Sequence, residues 1–268
     1  MTKYVIFSGG LGNQMFQYAF LRGLIHNGMV AKADLSIFNC AKMHNGYELD
    51  KVFGIKDEVV SRKGLCLMAL KFLRTYGKGI FVSTEEKEAV NPLLYDGYWQ
   101  NEKYFETCKK EIRNLFIFKN IDEKNKDLAM TISSENSVSV HVRRGDYLGL
   151  ASLEGICTED YYKKAVNIII SRIEKPVFYI FSNEPEWAES HFEDYGVRYF
   201  VINYNQGTDS YKDMYLMTQC RHHILANSSF SWWGAWLGQS KNPIVIAPKK
   251  WNNKIVHLHP QLASWIML

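Results

Sequence analysis

Apolar and polar positions alternate along this chain in two rhythms, one of strands and one of helices. Ser137-Val138-Ser139-Val140-His141-Val142 has period two. Val138, Val140 and Val142 share one face of a strand, and Ser137, Ser139, His141 and Arg143 the other. A helix is predicted near 159–174, opened by Thr158 as cap with Glu159 and Asp160 in an acidic first turn. The pattern repeats as strand 176–182 and a short helix from Asn183, then strand 197–202, a loop over 203–207 and a helix near 209–220. Strand 223–226, a helix near 229–239 and strand 244–247 complete it. Strands alternating with helices predict a parallel sheet with right-handed crossovers. The first half opens the same way: strand Tyr4 to Phe7, the glycine turn 9–12, a helix from about Asn13 to Asn27 ended by Gly28, and strand Met29 to Ala33. Residues 35–100 are patterned more weakly, with a helix predicted near 64–75. The polar stretch 119–135 reads as the join between two α/β lobes, 1–130 and 131–268, or as an exposed helix.

Parallel sheets bind ligands beyond the carboxyl ends of their strands, and the unusual segments fall there. Strand 137–142 leads into Arg143-Arg144-Gly145-Asp146-Tyr147. Two guanidinium groups at a strand exit repel each other and suit an anion, and a phosphate matches the arginine fork. A solvated loop, or an Arg–Asp pair with Asp146, is the plainer reading. Arg144-Gly145-Asp146 spells an adhesion tripeptide, but its place at a strand exit argues against that role. Asn183 and Glu184 stand where the next strand ends, as helix-start residues or as acceptors for a purine edge. Asn227, Ser228, Ser229 and Ser231 form either an anion cradle at a helix start or an ordinary cap. Trp232, Trp233 and Trp236 lie at helical spacing and are expected in the core. Gly10, Gly12, Asn13 and Gln14 make a tight turn with close backbone approach. The dinucleotide fingerprint, however, wants glycine where Met15 stands, even though Asp34 sits near the place of a ribose-binding acid.

Composition narrows the class. The 268 residues are 47% apolar and 22% charged, as in ordinary globular enzymes, and a net charge of +4 is too mild to imply nucleic acid. The five cysteines (40, 66, 108, 157, 220) contain no C-x-x-C, so neither a disulfide framework nor a zinc knuckle is indicated. No apolar run approaches about 18 residues, so no membrane span is expected. A strand that begins at Lys3 leaves no room for a signal peptide, and a cytoplasmic location is expected. No Asp-x-Asp cation clamp occurs, and His222-His223 and His257-Leu258-His259 read as structural, so no metal is expected.

Seven segments then stand out in order: Gly9-Gly10-Leu11-Gly12-Asn13-Gln14-Met15-Phe16-Gln17-Tyr18-Ala19, Tyr47-Glu48-Leu49-Asp50, Asp96-Gly97-Tyr98-Trp99-Gln100, His141 to Tyr147, Phe181-Ser182-Asn183-Glu184, Asp213-Met214-Tyr215-Leu216-Met217, and Ala226 to Trp236. Together they resemble the family 11 glycosyltransferases, the α-1,2-fucosyltransferases that use GDP-fucose. The resemblance implies the GT-B arrangement, two Rossmann-like lobes with parallel sheets facing across a cleft. The C-terminal lobe would hold GDP-fucose, and the N-terminal lobe, with its glycine-rich loop, would help bind the acceptor. It implies inverting transfer of L-fucose from GDP-β-L-fucose to the 2-OH of a terminal galactose on an oligosaccharide or polysaccharide precursor, with no cofactor besides the donor. Arg143 and Arg144 would stabilise the departing diphosphate without metal, and His141 would also touch the nucleotide. Asn183 or Glu184 would read guanine where many relatives carry Asp-Asp. Asn227, Ser228, Ser229 and Ser231 would complete the donor site. Asp146 and Glu154 both follow the arginines as candidates for the base, and no spacing selects one. Tyr95, Tyr98 and Trp99 are acceptor-stacking surfaces or lobe-interface packing. Outside this reading stand a fucosyltransferase of another linkage or acceptor, a nicotinamide oxidoreductase, and a non-catalytic sugar- or nucleotide-binding protein. Association at a membrane surface is compatible with all of them.

Overall fold

Strand β1 (Lys3–Ile6) starts a parallel sheet and runs through the glycine turn into helix α1 (Leu11–His26). β2 (Ala31–Asp34), α2 (Leu49–Phe53), β3 (Val59–Val60), α3 (Gly64–Tyr76), β4 (Val82–Ser83), β5 (Leu94–Tyr95) and α4 (Lys109–Leu115) follow. The computed structural model describes residues 1–39, 44–56, 59–255 and 258–268, without the side chains of Leu65 and Asp146. The chain divides into two compact units, Met1–Lys119 and Asn120–Leu268.

In the first unit the strand order is β3-β2-β1-β5-β4, and every pairing is parallel. α1 is buried on nearly all sides because both its apolar residues and its glutamines face protein. Gly23 lets it press on the 3-10 segment Glu102–Cys108: a Cβ there would lie 2.2 Å from the Tyr104 carbonyl oxygen. Gly28, at φ +82°, takes the left-handed turn that releases the chain toward β2.

The second unit begins with α5 (Glu123–Ser134), capped by the Asp122 carboxylate, which accepts the Asn125 N–H. The polar stretch read as a join is therefore a helix of this unit. The break falls after Lys119 rather than at 130, because Ala129 and Ile132 are buried against the sheet. β6 (Ser137–Val142), α6 (Glu159–Arg172), β7 (Val177–Ser182), α7 (Pro185–Glu193), β8 (Arg198–Ile202), α8 (Tyr211–Gln219), β9 (His222–Ile224), α9 (Ser229–Trp236), β10 (Val245–Ala247) and β11 (Ile266–Met267) complete it.

Its sheet order is β11-β10-β9-β6-β7-β8, all parallel. Counted from β6, this is the 3-2-1-4-5-6 order of doubly wound nucleotide-binding sheets. β6 is buried at all six positions. Its valines pack on Tyr162, Ala165, Val166 and Ile169 of α6. On the other face Ser139 Oγ lies 2.8 Å from His223 Nδ1. Trp232, Trp233 and Trp236 are core residues, as their spacing predicts.

Gly23→Ala should destabilise the protein by about 1–3 kcal/mol, the usual cost of forcing a methyl into a packed contact. Denaturant unfolding measures it, and a wild-type midpoint would show that α1 and the Tyr104 backbone can part without loss.

Candidate active site

From β6 the second sheet winds through β7 to β8, then returns to the other side for β9, β10 and β11. The reversal leaves a crevice outside the carboxyl ends of β6 and β9, where doubly wound sheets take their ligands. Its walls are the 143–147 turn and the segment from Leu225 into α9.

The two arginines diverge. The Arg143 guanidinium lies 5.8 Å from the Tyr147 ring centroid, and the Tyr147 hydroxyl donates to the Asn227 carbonyl at 3.3 Å, on the β9 side. Arg144 turns to the β7 side. Its guanidinium lies 4.6 Å over the Trp187 ring, and its Nε is 3.3 Å from Glu184 Oε2 in an ion pair without hydrogen-bond alignment. The Arg144 N–H donates to Asn183 Oδ1 at 3.2 Å, and the Glu184 N–H donates to Ser182 Oγ at 2.9 Å. A Cβ at Gly145 would come within 3.0 Å of both Asn183 Nδ2 and Glu184 Oε1. Asn183 and Glu184 thus hold the arginine turn against β7, a role the sequence reading missed. Both arginine residues remain partly exposed.

His141 sits under this turn, buried, with the Phe230 ring 5.7 Å away. Burial, reinforced by the Arg143 charge, pushes its pKa down to about 3, so the ring is neutral. Its Nδ1 has no hydrogen-bond partner, a deficit a bound ligand can relieve. The expected cradle at α9 is largely spent internally. Ser228 Oγ caps the helix by accepting the Phe230 N–H, and Ser231 Oγ donates to the Ala226 and Ser228 carbonyls. The Asn227 amide accepts from Cys157 Sγ and donates to Trp251 O at 3.3 Å, clamping two loops. Ser229, half-buried, begins the helix. These residues therefore shape the crevice more than they line it.

Of the two candidate bases, the Asp146 side chain lies outside the described residues. Glu154 is exposed, and its Oε2 accepts the Gly149 N–H at 3.2 Å. Asp213, in the first turn of α8, accepts from Asn205 Nδ2 at 2.8 Å, and burial pushes its pKa up to about 7. Asn205 in turn exchanges hydrogen bonds with Asn125 of α5, so this network fixes the loop after β8.

The first unit reverses between β1 and β5, and three sequence segments meet there. Gln14 Nε2 donates to the Gly9 and Gly46 carbonyls at 2.9 and 2.8 Å, and its Oε1 accepts the Glu48 N–H at 2.9 Å. Gln17 Nε2 donates to Gly97 O at 3.0 Å, and Asn13 Oδ1 accepts from Gln100 Nε2 at 2.8 Å. Glu48 is buried, which raises its pKa, while Asn45 and the Leu11 N–H stabilise its charge. Gly9 holds φ +79°, and Gly10 faces the His44 ring, which a Cβ would meet at 3.4 Å. Gly12 is buried in the first turn of α1. The glycine-rich motif is a clamp for two loops. Gln17, Glu48 and Gln100 belong to it; for Gln17 the signal was a run of amides on one buried helix, whereas Glu48 and Gln100 come from the two loops it holds.

Two aromatic assignments need correction. Trp99 stacks on Phe20 at 4.2 Å and Tyr95 meets the same ring edge-on, both buried, so neither presents a stacking face. Tyr98 stays 40% exposed and keeps that option. The acid suited to a ribose is also occupied: Asp34 pairs with Arg62 at 2.8 Å and accepts the Ser36 N–H. His222 Nδ1 accepts the Ile244 N–H. Among the described residues, no three His, Cys, Asp or Glu side chains group as a metal site, and His257 and Cys40 lie outside them. No helix of the described residues is long and apolar enough to cross a membrane.

A 3-2-1-4-5-6 sheet with arginines at its reversal, preceded by a second parallel α/β unit, is the build of the GT-B class of glycosyltransferases. The profile of Glycosyl transferase family 11 matches residues 78–267, and the chain belongs to that family. It is 36% identical to an alpha-1,2-colitosyltransferase of Escherichia coli, over 97% of each chain. It is 29% identical to galactoside alpha-(1,2)-fucosyltransferase 1 of Ateles belzebuth, over 85% of this chain and 63% of the relative. In fold it is similar to the crystal structure of fucosyltransferase NodZ from Bradyrhizobium, with TM-score 0.51, 11% identity, and 89% and 94% of the two chains covered.

His223, buried beneath the same sheet, also has its pKa pushed down to about 3. The unfolded chain takes up this proton below about pH 6.5 and the native state does not. Stability is therefore full above that pH and falls toward pH 3, by about 1.4 kcal/mol per unit. His223→Gln should flatten the stability–pH slope on the acid side. An unchanged slope would mean that native His223 already binds the proton.

Proposed function

We propose that this protein is an inverting α-1,2-glycosyltransferase that moves a 6-deoxy sugar of the fucose type from GDP to the 2-OH of a terminal galactose. The observation that carries the reading is the pair of partly exposed arginines at the β6–β9 reversal, propped on Tyr147 and Trp187. Cleavage of the sugar–diphosphate bond develops positive charge on the sugar and negative charge on the leaving diphosphate. Two preorganised cations at a strand exit lower that barrier without a metal ion. Attack from the face opposite the diphosphate turns a β-linked donor into an α-linked product. Neutral His141, with Nδ1 unmatched, suits a polar contact to the nucleotide.

The colitosyl relative favours a second donor. Colitose is fucose without its 3-hydroxyl, so one pocket can hold either sugar. A site built to bond the 3-hydroxyl penalises its absence, because a buried polar group left unpaired costs about 1–3 kcal/mol, a factor of about 10–100. GDP-fucose and GDP-colitose, each assayed in EDTA with a panel of galactose-terminated acceptors and with linkage analysis of the product, test the whole reading. Transfer of at least one sugar to a 2-OH is expected. No transfer from either donor, or activity restored only by Mn²⁺ or Mg²⁺, would overturn it.

Arg143→Ala and Arg144→Ala should lower kcat by about 10²–10³-fold in at least one variant, and more than they raise donor KM. Arg→Lys should recover little, since a point charge lacks the guanidinium fork. Folded variants with near-normal kcat would remove the arginines from the reaction.

A further inference from the structure

Helix α3 carries apolar residues on the wrong side. Leu67, Leu70 and Leu73 pack inward on the core built from Ile6, Val82 and Leu94. A surface helix normally turns polar residues outward. Here Met68, Phe72 and Tyr76, at i, i+4 and i+8, form a stripe on the outer side, exposed by 65%, 63% and 70%. The Phe72 and Tyr76 rings lie 4.8 Å apart, so the stripe is continuous. The turn that follows adds Ile80 and Phe81, exposed by 63% and 53%. Isolated exposed apolar residues are ordinary, but five grouped on one helix and its turn mark an interaction surface.

The charge carried by the helix and its turn is of one sign. Residues 61–82 contain five basic residues and no Asp or Glu. Arg62 and Arg74 are committed inward, to Asp34 and Asp96. Lys63, Lys71 and Lys78 are exposed beside the stripe. Glu85, Glu86 and Glu88 come only in the following loop, around Lys87. None of these residues serves the clamp at the β1–β5 reversal or the arginine crevice.

We propose that the outer face of α3 and the 78–81 turn is a docking surface for an anionic lipid bilayer. A bilayer fits both halves of the observation. Aromatic and methionine side chains enter the headgroup boundary, while lysines beside them stay at the anionic surface. A protein partner would have to supply an apolar groove lined with acids. A second copy of this chain would bring its own lysines against these.

Flotation with phosphatidylcholine vesicles, with and without phosphatidylglycerol, tests the proposal. The protein should float with the anionic vesicles, less so as salt is raised, and weakly with phosphatidylcholine alone. Lys63→Glu, Lys71→Glu and Lys78→Glu together should lower the partition by about a hundredfold. Met68→Gln, Phe72→Gln and Tyr76→Gln together should lower it at least about tenfold. Both variants should keep the wild-type unfolding midpoint and sugar transfer to a soluble acceptor. Failure of the wild type to float, or variants that float equally well, would overturn the proposal. So would a wild-type dimer in sedimentation that the glutamine variant turns to monomer while neither binds vesicles. Vesicle binding requires no turnover, so it stands or falls apart from the reading of the reaction.

Discussion

A parallel sheet that winds both ways from its first strand has to leave a gap in its loops. Right-handed crossovers carry successive helices to one face on the way out and to the opposite face on the way back. The loops that leave the first strand and its returning neighbour therefore part, and no helix covers the strand ends between them. Both units obey this constraint, at β1–β5 and at β6–β9. The arginine turn, the α9 start and the glycine-rich clamp lie at these two places, where the strand ends are least covered.

An open strand end is a poor place to keep a loop still. Backbone groups there lack the ladder that pairs them elsewhere, and buried groups left unpaired cost about 1–3 kcal/mol each. This protein answers with side-chain amides. Gln14, Gln17 and Gln100 hold loops of the first unit, and Asn227, Asn205 and Asn125 hold loops of the second. An amide suits the task because it donates and accepts at once and carries no charge to desolvate. Hydroxyls at Ser228 and Ser231 do the same over shorter reach. Residue types that look like ligand contacts in the sequence are thus largely the means by which ligand-facing backbone is fixed.

That distinction sets what was legible before the structure. Strands and helices of the second unit follow from period alone, since β6, β7 and α6 each bury a contiguous apolar face. The strand ends, and hence the crevice, follow from the alternation. Three features were not decided. The polar stretch 119–135 read as a join or as an exposed helix because only Ala129 and Ile132, with Asn125, turn inward. Tyr95 and Trp99 read equally as stacking surfaces or as packing, because the positive φ of Trp99, which folds its ring back onto Phe20, leaves no trace in residue type. Adjacent arginines suggested one focus of charge. The turn at Gly145 sends them to opposite neighbours, and only the identity of those neighbours, Tyr147 and Trp187, shows it.

The choice of aromatic neighbours has a consequence for charge. A guanidinium paired in a bidentate fork to a carboxylate has most of its field cancelled and its donors occupied. A guanidinium resting on a ring keeps its formal charge and its edge donors, while the ring face restricts its motion. The Arg143 guanidinium lies 5.8 Å from the Tyr147 ring centroid. Arg144 has Glu184 beside it, but at 3.3 Å and out of alignment, so the carboxylate tempers the charge without filling the fork. Asn183, bonded to the Arg144 backbone rather than to its side chain, fixes the turn and leaves the guanidinium alone. Where many fucosyltransferases carry two acids, an asparagine in the first place lowers the negative charge beside the arginines by one. The strand end of the second unit is therefore more positive than an Asp-Asp pair would allow, which favours the diphosphate of the proposed donor.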